Sequence, residues 1–228
     1  MRAAILTILF AALAGGGGVY LWTYYGGVAG EKESAVAFID AYGDYAEIAD
    51  RVDLLVHLPG TQDNIERAEL EQLLTTVLTS DLAPERRDTL SRLAYQNLDV
   101  LKKEVDAAQA AQAELYERLQ VLDNTARTFQ GTRLRTLAQD VVTRARMRAE
   151  LTSRITSILS ETNEHTHAIL TQILEDDGEL TQLHIAEINT VTEAAEARHA
   201  RTVALYDDLV VTSGELQQSV ELFVRVAL

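Results

Sequence analysis

The chain has 228 residues, no cysteine, two prolines and a formal net charge of −15. Without cysteine there is no disulfide scaffold, no thiolate metal site and no cysteine nucleophile. The acidic balance lacks the basic face that displaces counterions from phosphate, so nucleic acid is excluded as a partner.

The first 30 residues carry one charge, Arg2. From Ala3 to Leu21 nothing is charged, and 19 residues of helix are about 28 Å long, close to the hydrocarbon thickness of a bilayer. Tyr20, Trp22, Tyr24 and Tyr25 follow at once, as an aromatic belt at a membrane interface would. Ala11 with Gly15, and Ala14 with Gly18, are small-xxx-small pairs that let another helix approach closely. Gly27 and Ala29 offer a signal-peptidase-like site, but the apolar run is longer than an ordinary signal core. The expectation is therefore an uncleaved transmembrane anchor over 1–30, with its amino end in the cytoplasm. Residues 31–228 then form a domain in the periplasm or extracellular space.

Beyond the anchor the pattern is helical throughout. Phe38, Tyr42, Tyr45, Ala49, Val52 and Val56 are spaced 4,3,4,3,4, a heptad seam. Pro59-Gly60 interrupts it, and Asp63 to Glu66 restarts a helix carrying Leu70, Leu73, Leu74, Val77 and Leu78. Ser80 to Pro84 breaks the chain again. Ala94, Leu98, Leu101, Val105, Ala108, Gln112, Leu115, Leu119, Leu122, Ala126 and Phe129 then keep the alternation without a slip. Gly131 ends that helix and Thr132 is expected to cap the next.

The third seam, through Leu134, Leu137, Val141, Leu151, Ile155, Ile158, Ile169 and Ile173, is less regular and stops at Asp176-Asp177-Gly178. The last runs through Ile185, Ile188, Thr192, Ala195, His199, Thr202, Tyr206, Leu209, Ser213, Leu216, Val220 and Phe223. The breaks leave segments 33–80 (interrupted near 59–60), 83–130, 132–177 and 179–227, each of about 45 to 49 residues. Equal lengths joined by tight turns imply an all-α, elongated up-down-up-down four-helix bundle with coiled-coil-like packing, roughly 70 Å long.

Eight arginines lie between Arg118 and Arg154, and no Lys or Arg lies between Thr156 and Ala195. The arginines suit either a turn facing anionic lipid or pairs with acids on neighbouring helices. Anchor and bundle together resemble, in outline, the membrane-anchored helical sensor modules of bacterial chemoreceptors and sensor kinases. The resemblance is architectural and no motif carries it. Val220 to Leu228, with Glu221 and Arg225, is too short and too charged to return through a membrane.

Two Glu-x-x-His pairs, Glu164 with His167 and Glu196 with His199, suggest a di-iron site only if they align. Folding back near Gly178 places them about 15 Å apart along the bundle, and His167 is two positions from the expected core residues His165 and Ile169. No metal and no cofactor is expected. Glu175 to Glu179 lacks the alternating ligands of a calcium loop, and Asp176 with Glu179 reads as a cap for the last helix. No phosphate-binding loop or nucleophile motif appears, and no enzyme activity is expected.

The polar members of the last seam, Thr192, His199, Thr202 and Ser213, suit interhelical hydrogen bonds, a polar ligand cavity or a protein contact. The main expectation is a structural or adaptor subunit of a membrane assembly or homo-oligomer, with membrane lipid and other subunits or itself as partners. The alternative is a ligand-binding, sensor-type bundle acting with a separate signalling protein.

Overall fold

The computed structural model describes residues 29–55, 72–77, 82–176 and 182–228. Four long helices occupy most of them: α1 Ala29–Leu55, α2 Pro84–Arg127, α3 Thr132–Glu175 and α4 Gln182–Ala227. A short helical segment covers residues 72–77. The fold is an all-α bundle of these five helical segments. The expected interruption at Pro59-Gly60 and the restart at 63–66 lie outside the described residues.

Local chemistry sets the helix ends. Pro84 opens α2, where its missing N–H deprives the helix of no hydrogen bond, and Glu85 in the first turn and Arg127 in the last complement the helix dipole. Thr128 closes α2, its N–H and its hydroxyl both donating to the Thr125 carbonyl, at 3.1 and 2.7 Å. Gly131, rather than the expected Thr132, takes the N-cap position of α3. Its φ of −72° is open to any residue, so the need for glycine is not conformational. A side chain there would instead meet the Glu31 carboxylate, which has room to swing away. Asp176 is the C-cap of α3, its N–H donating to Gln172 at 3.2 Å, instead of a cap for α4. Gly178 and Glu179 lie outside the described residues.

Each helix packs on the next in sequence, and α1 meets α4 at one end through Phe38 and Phe223. At one end Phe38 of α1, Phe129 of the α2–α3 turn and Phe223 of α4 form a cluster of three buried rings, with centroids 4.7 to 5.9 Å apart. Arg135 ties the turn to this cluster, its Nε donating to the Phe129 carbonyl at 2.8 Å. From there an apolar core runs through Tyr45, Leu115, Leu119, Leu122, Val141 and Ala145. A second apolar group lies at Val105, Ile155, Leu205 and Leu209, and a third at Val77, Leu98, Ile169, Leu170 and Ile173. The 72–77 segment joins this far group, and Arg87 of α2 holds it by donating to the Val77 carbonyl at 3.3 Å.

The membrane expectation is corrected. Among the described residues no helix is long and apolar enough to cross a membrane. Their outer faces are charged too often, as Arg201, Asp207, Asp208, Glu215 and Glu221 show along α4. The single-pass inner-membrane topology, the periplasmic placement, the membrane-lipid partner and the role as a subunit of a membrane assembly are therefore not supported. Residues 3–21, with Ala11, Ala14, Gly15, Gly18 and Tyr20, lie outside the described residues, as do Trp22, Tyr24 and Tyr25. Self-association argued from those glycines has no counterpart among the described residues.

Of the two readings of the arginine block, pairing with acids is the one with support, in five of its eight members, Arg118, Arg127, Arg144, Arg146 and Arg148. Arg118 reaches Asp44 at 3.3 Å, Arg127 reaches Asp123 at 2.5 Å, and Arg144 bonds both Asp140 and Glu215. These exposed pairs are each worth well under about 1 kcal/mol.

Candidate functional site

Two polar features interrupt the apolar packing. The first is a buried layer at mid-height. Arg148 projects from α3 into the core, 8% exposed, and its Nη2 donates to Asp53 Oδ2 of α1 at 2.5 Å. Asp53 is itself 3% exposed, and Asp50 Oδ1 stands 3.7 Å from the same guanidinium nitrogen. Burial works against the charge on Arg148, but Asp53 and Tyr45 beside it prevail and hold the guanidinium protonated beyond its usual range. Burial likewise pushes the Tyr45 phenol up to about 12, against the opposing pull of Arg148. Its hydroxyl donates to the Ala145 carbonyl at 2.8 Å.

The layer extends up α3 one turn at a time. Thr152 donates to the Arg148 carbonyl at 3.0 Å, and Thr156 to the Thr152 carbonyl at 2.9 Å. Thr156 also accepts a 2.8 Å bond from Gln112 Nε2 of α2. Gln112 is the polar member of the α2 seam, and its partner lies directly across the interface. Each group is buried and bonded, so the layer fixes α1, α2 and α3 in one register. A slip of either neighbour would leave a charge or an amide without its partner. Further along, Asn163 Nδ2 reaches the Leu98 carbonyl at 3.5 Å.

The second feature is an open groove between α3 and α4 near the far end of the bundle, with a volume of about 460 Å³. Ala168, Ile169 and Ala186 form its apolar lining, and Glu164, His165, Gln172 and Thr190 supply polar groups. The two alanines are small enough to leave the space open, where longer side chains at other levels close the α3–α4 interface. The Thr190 hydroxyl is spent on the Ala186 carbonyl at 3.0 Å, which leaves its oxygen free to accept. Arg198, which does not line the groove, places its Nη2 3.4 Å from His165 Nε2. Arginine only donates, so in a hydrogen bond here His165 Nε2 would be the acceptor. Arg198 Nη1 is shielded from solvent and has no hydrogen-bond partner among the described residues. The volume is in the range of small-molecule sites, and the groove is open to solvent rather than enclosed.

The sequence-predicted residues distribute unevenly over these features. Thr202 is buried, with its hydroxyl donating to the Arg198 carbonyl at 2.8 Å, so it neither lines the groove nor bridges helices. Ser213 is half-buried, and the neighbouring Thr212 takes the core position. The side chains of Thr192 and His199 lie outside the described residues. His165, expected in the core, is exposed and lines the groove. His167 stacks edge-on against Tyr95, centroids 4.6 Å apart. Among the described residues no group of three or more His, Asp or Glu side chains is placed to hold a metal. The groove and the Arg148–Asp53 pair were not among the sequence candidates. Comparison with family models, with curated proteins and with solved structures gives no significant match.

Proposed function

We propose that this chain is a non-catalytic, ligand-binding helical bundle of the sensor type, which takes a small amphipathic molecule into the α3–α4 groove and works with a separate signalling protein. The observation that carries the reading is the groove itself, about 460 Å³ between exposed Ala168 and Ala186, with Glu164, His165, Gln172 and Thr190 around it. A ligand there touches two helices at once. It therefore favours whichever relative position of α3 and α4 suits it, by the difference in its affinity for the two arrangements.

The rest of the bundle supports a readout at a distance. The groove lies roughly 26 Å along α3 from Arg148, and both lining helices continue unbroken, with 44 and 46 residues, to the opposite end. The polar layer holds α1, α2 and α3 together, whereas α4 meets α3 at mid-height through the apolar side chains Ile155, Ile158, Leu205 and Leu209. Apolar contacts tolerate a small slide better than a buried ion pair does, so α4 is the element suited to respond.

The test is a thermal-shift screen of small amphipathic molecules against the full chain and its Ala186→Trp variant. Ala186 is exposed, so the variant fills the groove without disturbing the core. The expected result is a set of compounds that stabilise the wild type and leave the variant unchanged. Compounds that stabilise both equally, or none that stabilises either, would contradict the proposal.

A further inference from the structure

We infer that the open edge of the bundle between α1 and α4 is a docking surface for a basic amphipathic helix of a partner protein. The inference does not depend on the α3–α4 groove, because this edge lies on the α1 side of α4. A closed four-helix ring needs each helix to pack along both of its neighbours. Among the described residues the backbones of α1 and α2, of α2 and α3, and of α3 and α4 approach within 8 Å repeatedly, while those of α1 and α4 scarcely do. Side chains close the edge at the aromatic end, where Phe38, Ile39 and Tyr42 line one small crevice with Val220, Phe223 and Val224. Beyond that end the edge opens. What α4 presents to it is a second heptad seam, since Val203, Tyr206, Val210, Ser213, Gln217 and Val220 are spaced 3,4,3,4,3 and none is charged. Val220 is buried, but Val203 is 46% exposed and Val210 70%. An uncharged seam at coiled-coil spacing is built to pack against another helix, and α1 covers it at one end.

Charge selects the occupant. From Glu33 to Asp50, α1 has five acids and no Lys or Arg, and from Thr202 to Val224, α4 has four acids and no Lys or Arg. Part of this charge is matched within the bundle, as Asp44 is by Arg118 and Glu215 by Arg144. Asp207, exposed and one turn from both Val203 and Val210, makes no ion pair among the described residues. A second copy of this chain would bring the same acids against these, whereas a helix with lysine or arginine on either side of an apolar stripe complements both the seam and its rims. There is room for it. Nothing lies within 4 Å of where a side chain would begin at Gly43 of α1 or at Gly214 of α4. From Val203 to Gln217 the open seam is about 21 Å long, the length of about 15 residues of helix.

The experiment is fluorescence anisotropy of the full chain with a labelled helical peptide of about 18 residues, leucine at heptad positions a and d and lysine at e and g. A second peptide carries glutamate in place of the lysines. The lysine peptide is expected to bind the wild type and the glutamate peptide is not. Val210→Lys should weaken the lysine peptide by about tenfold or more, because it sets a like charge in the middle of the seam. Val100→Lys makes the same change of charge on α2, at a position 56% exposed, and should leave binding almost unchanged. Both positions are exposed, so neither variant disturbs the core. No binding of the lysine peptide, equal binding of the two peptides, or equal loss in the two variants would overturn the inference, the last by showing that charge alone attracts the peptide. Sedimentation velocity of the chain by itself completes the test. A dimer that Val210→Lys abolishes would also overturn it, by giving the edge to a second copy.

Discussion

Arg148 and Asp53, 95 positions apart in sequence, meet at 2.5 Å inside the bundle and join α3 to α1 with a buried ion pair. An ion pair in that position adds little net stability over a well-packed apolar pair, because both ions have left water. Breaking it is a different matter. Asp53→Ala leaves the Arg148 guanidinium in the core with only the more distant Asp50, and should cost about 3 to 5 kcal/mol in urea unfolding. The double variant Arg148→Met with Asp53→Leu should recover most of that loss. A double variant as unstable as the single one would show that the pair stabilises the fold outright instead of selecting its register.

The α2 seam makes a second, simpler prediction. Leu115 is 2% exposed and packs in the main apolar core. A carboxylate in its place must either give up its charge or pull water into the core, so Leu115→Asp should destabilise the bundle by several kcal/mol. Circular dichroism melting of the two proteins checks it, and an unchanged midpoint would place Leu115 on an exposed face.

Alkaline pH should weaken the fold through Tyr45. Its phenol is raised to about 12, chiefly by burial, while an unfolded tyrosine titrates near 10. Below pH 10 both states hold the proton and the contribution is complete. Between about pH 10 and 12 the unfolded chain releases it first, so stability falls by about 3 kcal/mol over that window. Tyr45→Phe should start lower, by about 1 kcal/mol for the lost bond to Ala145, and should show a clearly shallower decline. Urea unfolding at pH 9, 10.5 and 12 measures both, and parallel declines would assign the effect to other groups.

The legibility of the fold varied with how apolar each seam is. In α2 the alternation from Ala94 to Phe129 lists residues that are nearly all buried, including Gln112, because one uninterrupted face meets the core; Leu101 is only half-buried. In α3 the seam looked irregular because the search passed over polar positions. Val141, Ala145, Arg148, Thr152, Ile155 and Leu159 keep a strict 4,3 spacing and are all buried, so the signal was present and a charge disguised it. In α4 the positions Thr202, Leu209, Leu216 and Phe223 are buried as the heptad requires, but Leu205 and Thr212 take the places expected of Tyr206 and Ser213. A helix of 3.6 residues per turn drifts against a seven-residue repeat, which brings adjacent ranks alternately to the core.

The candidate site was harder to read, for a physical reason. The groove arises where Ala168 and Ala186 face each other across two helices, and small residues at that distance leave no periodic trace in either segment. His165 was assigned to the core by its spacing from Ile169, yet four residues on a helix subtend about 40°, enough to turn it from the core to the rim.

The most direct test of the ligand-binding account is an amide NMR titration of the full chain with the most stabilising compound from the screen. Chemical-shift changes should concentrate at residues 164–172 and 186–190, on both walls of the groove. Amides around Phe38 and Phe223, at the opposite end, should shift far less. Changes centred on that opposite end, or absent from one of the two walls, would contradict the account.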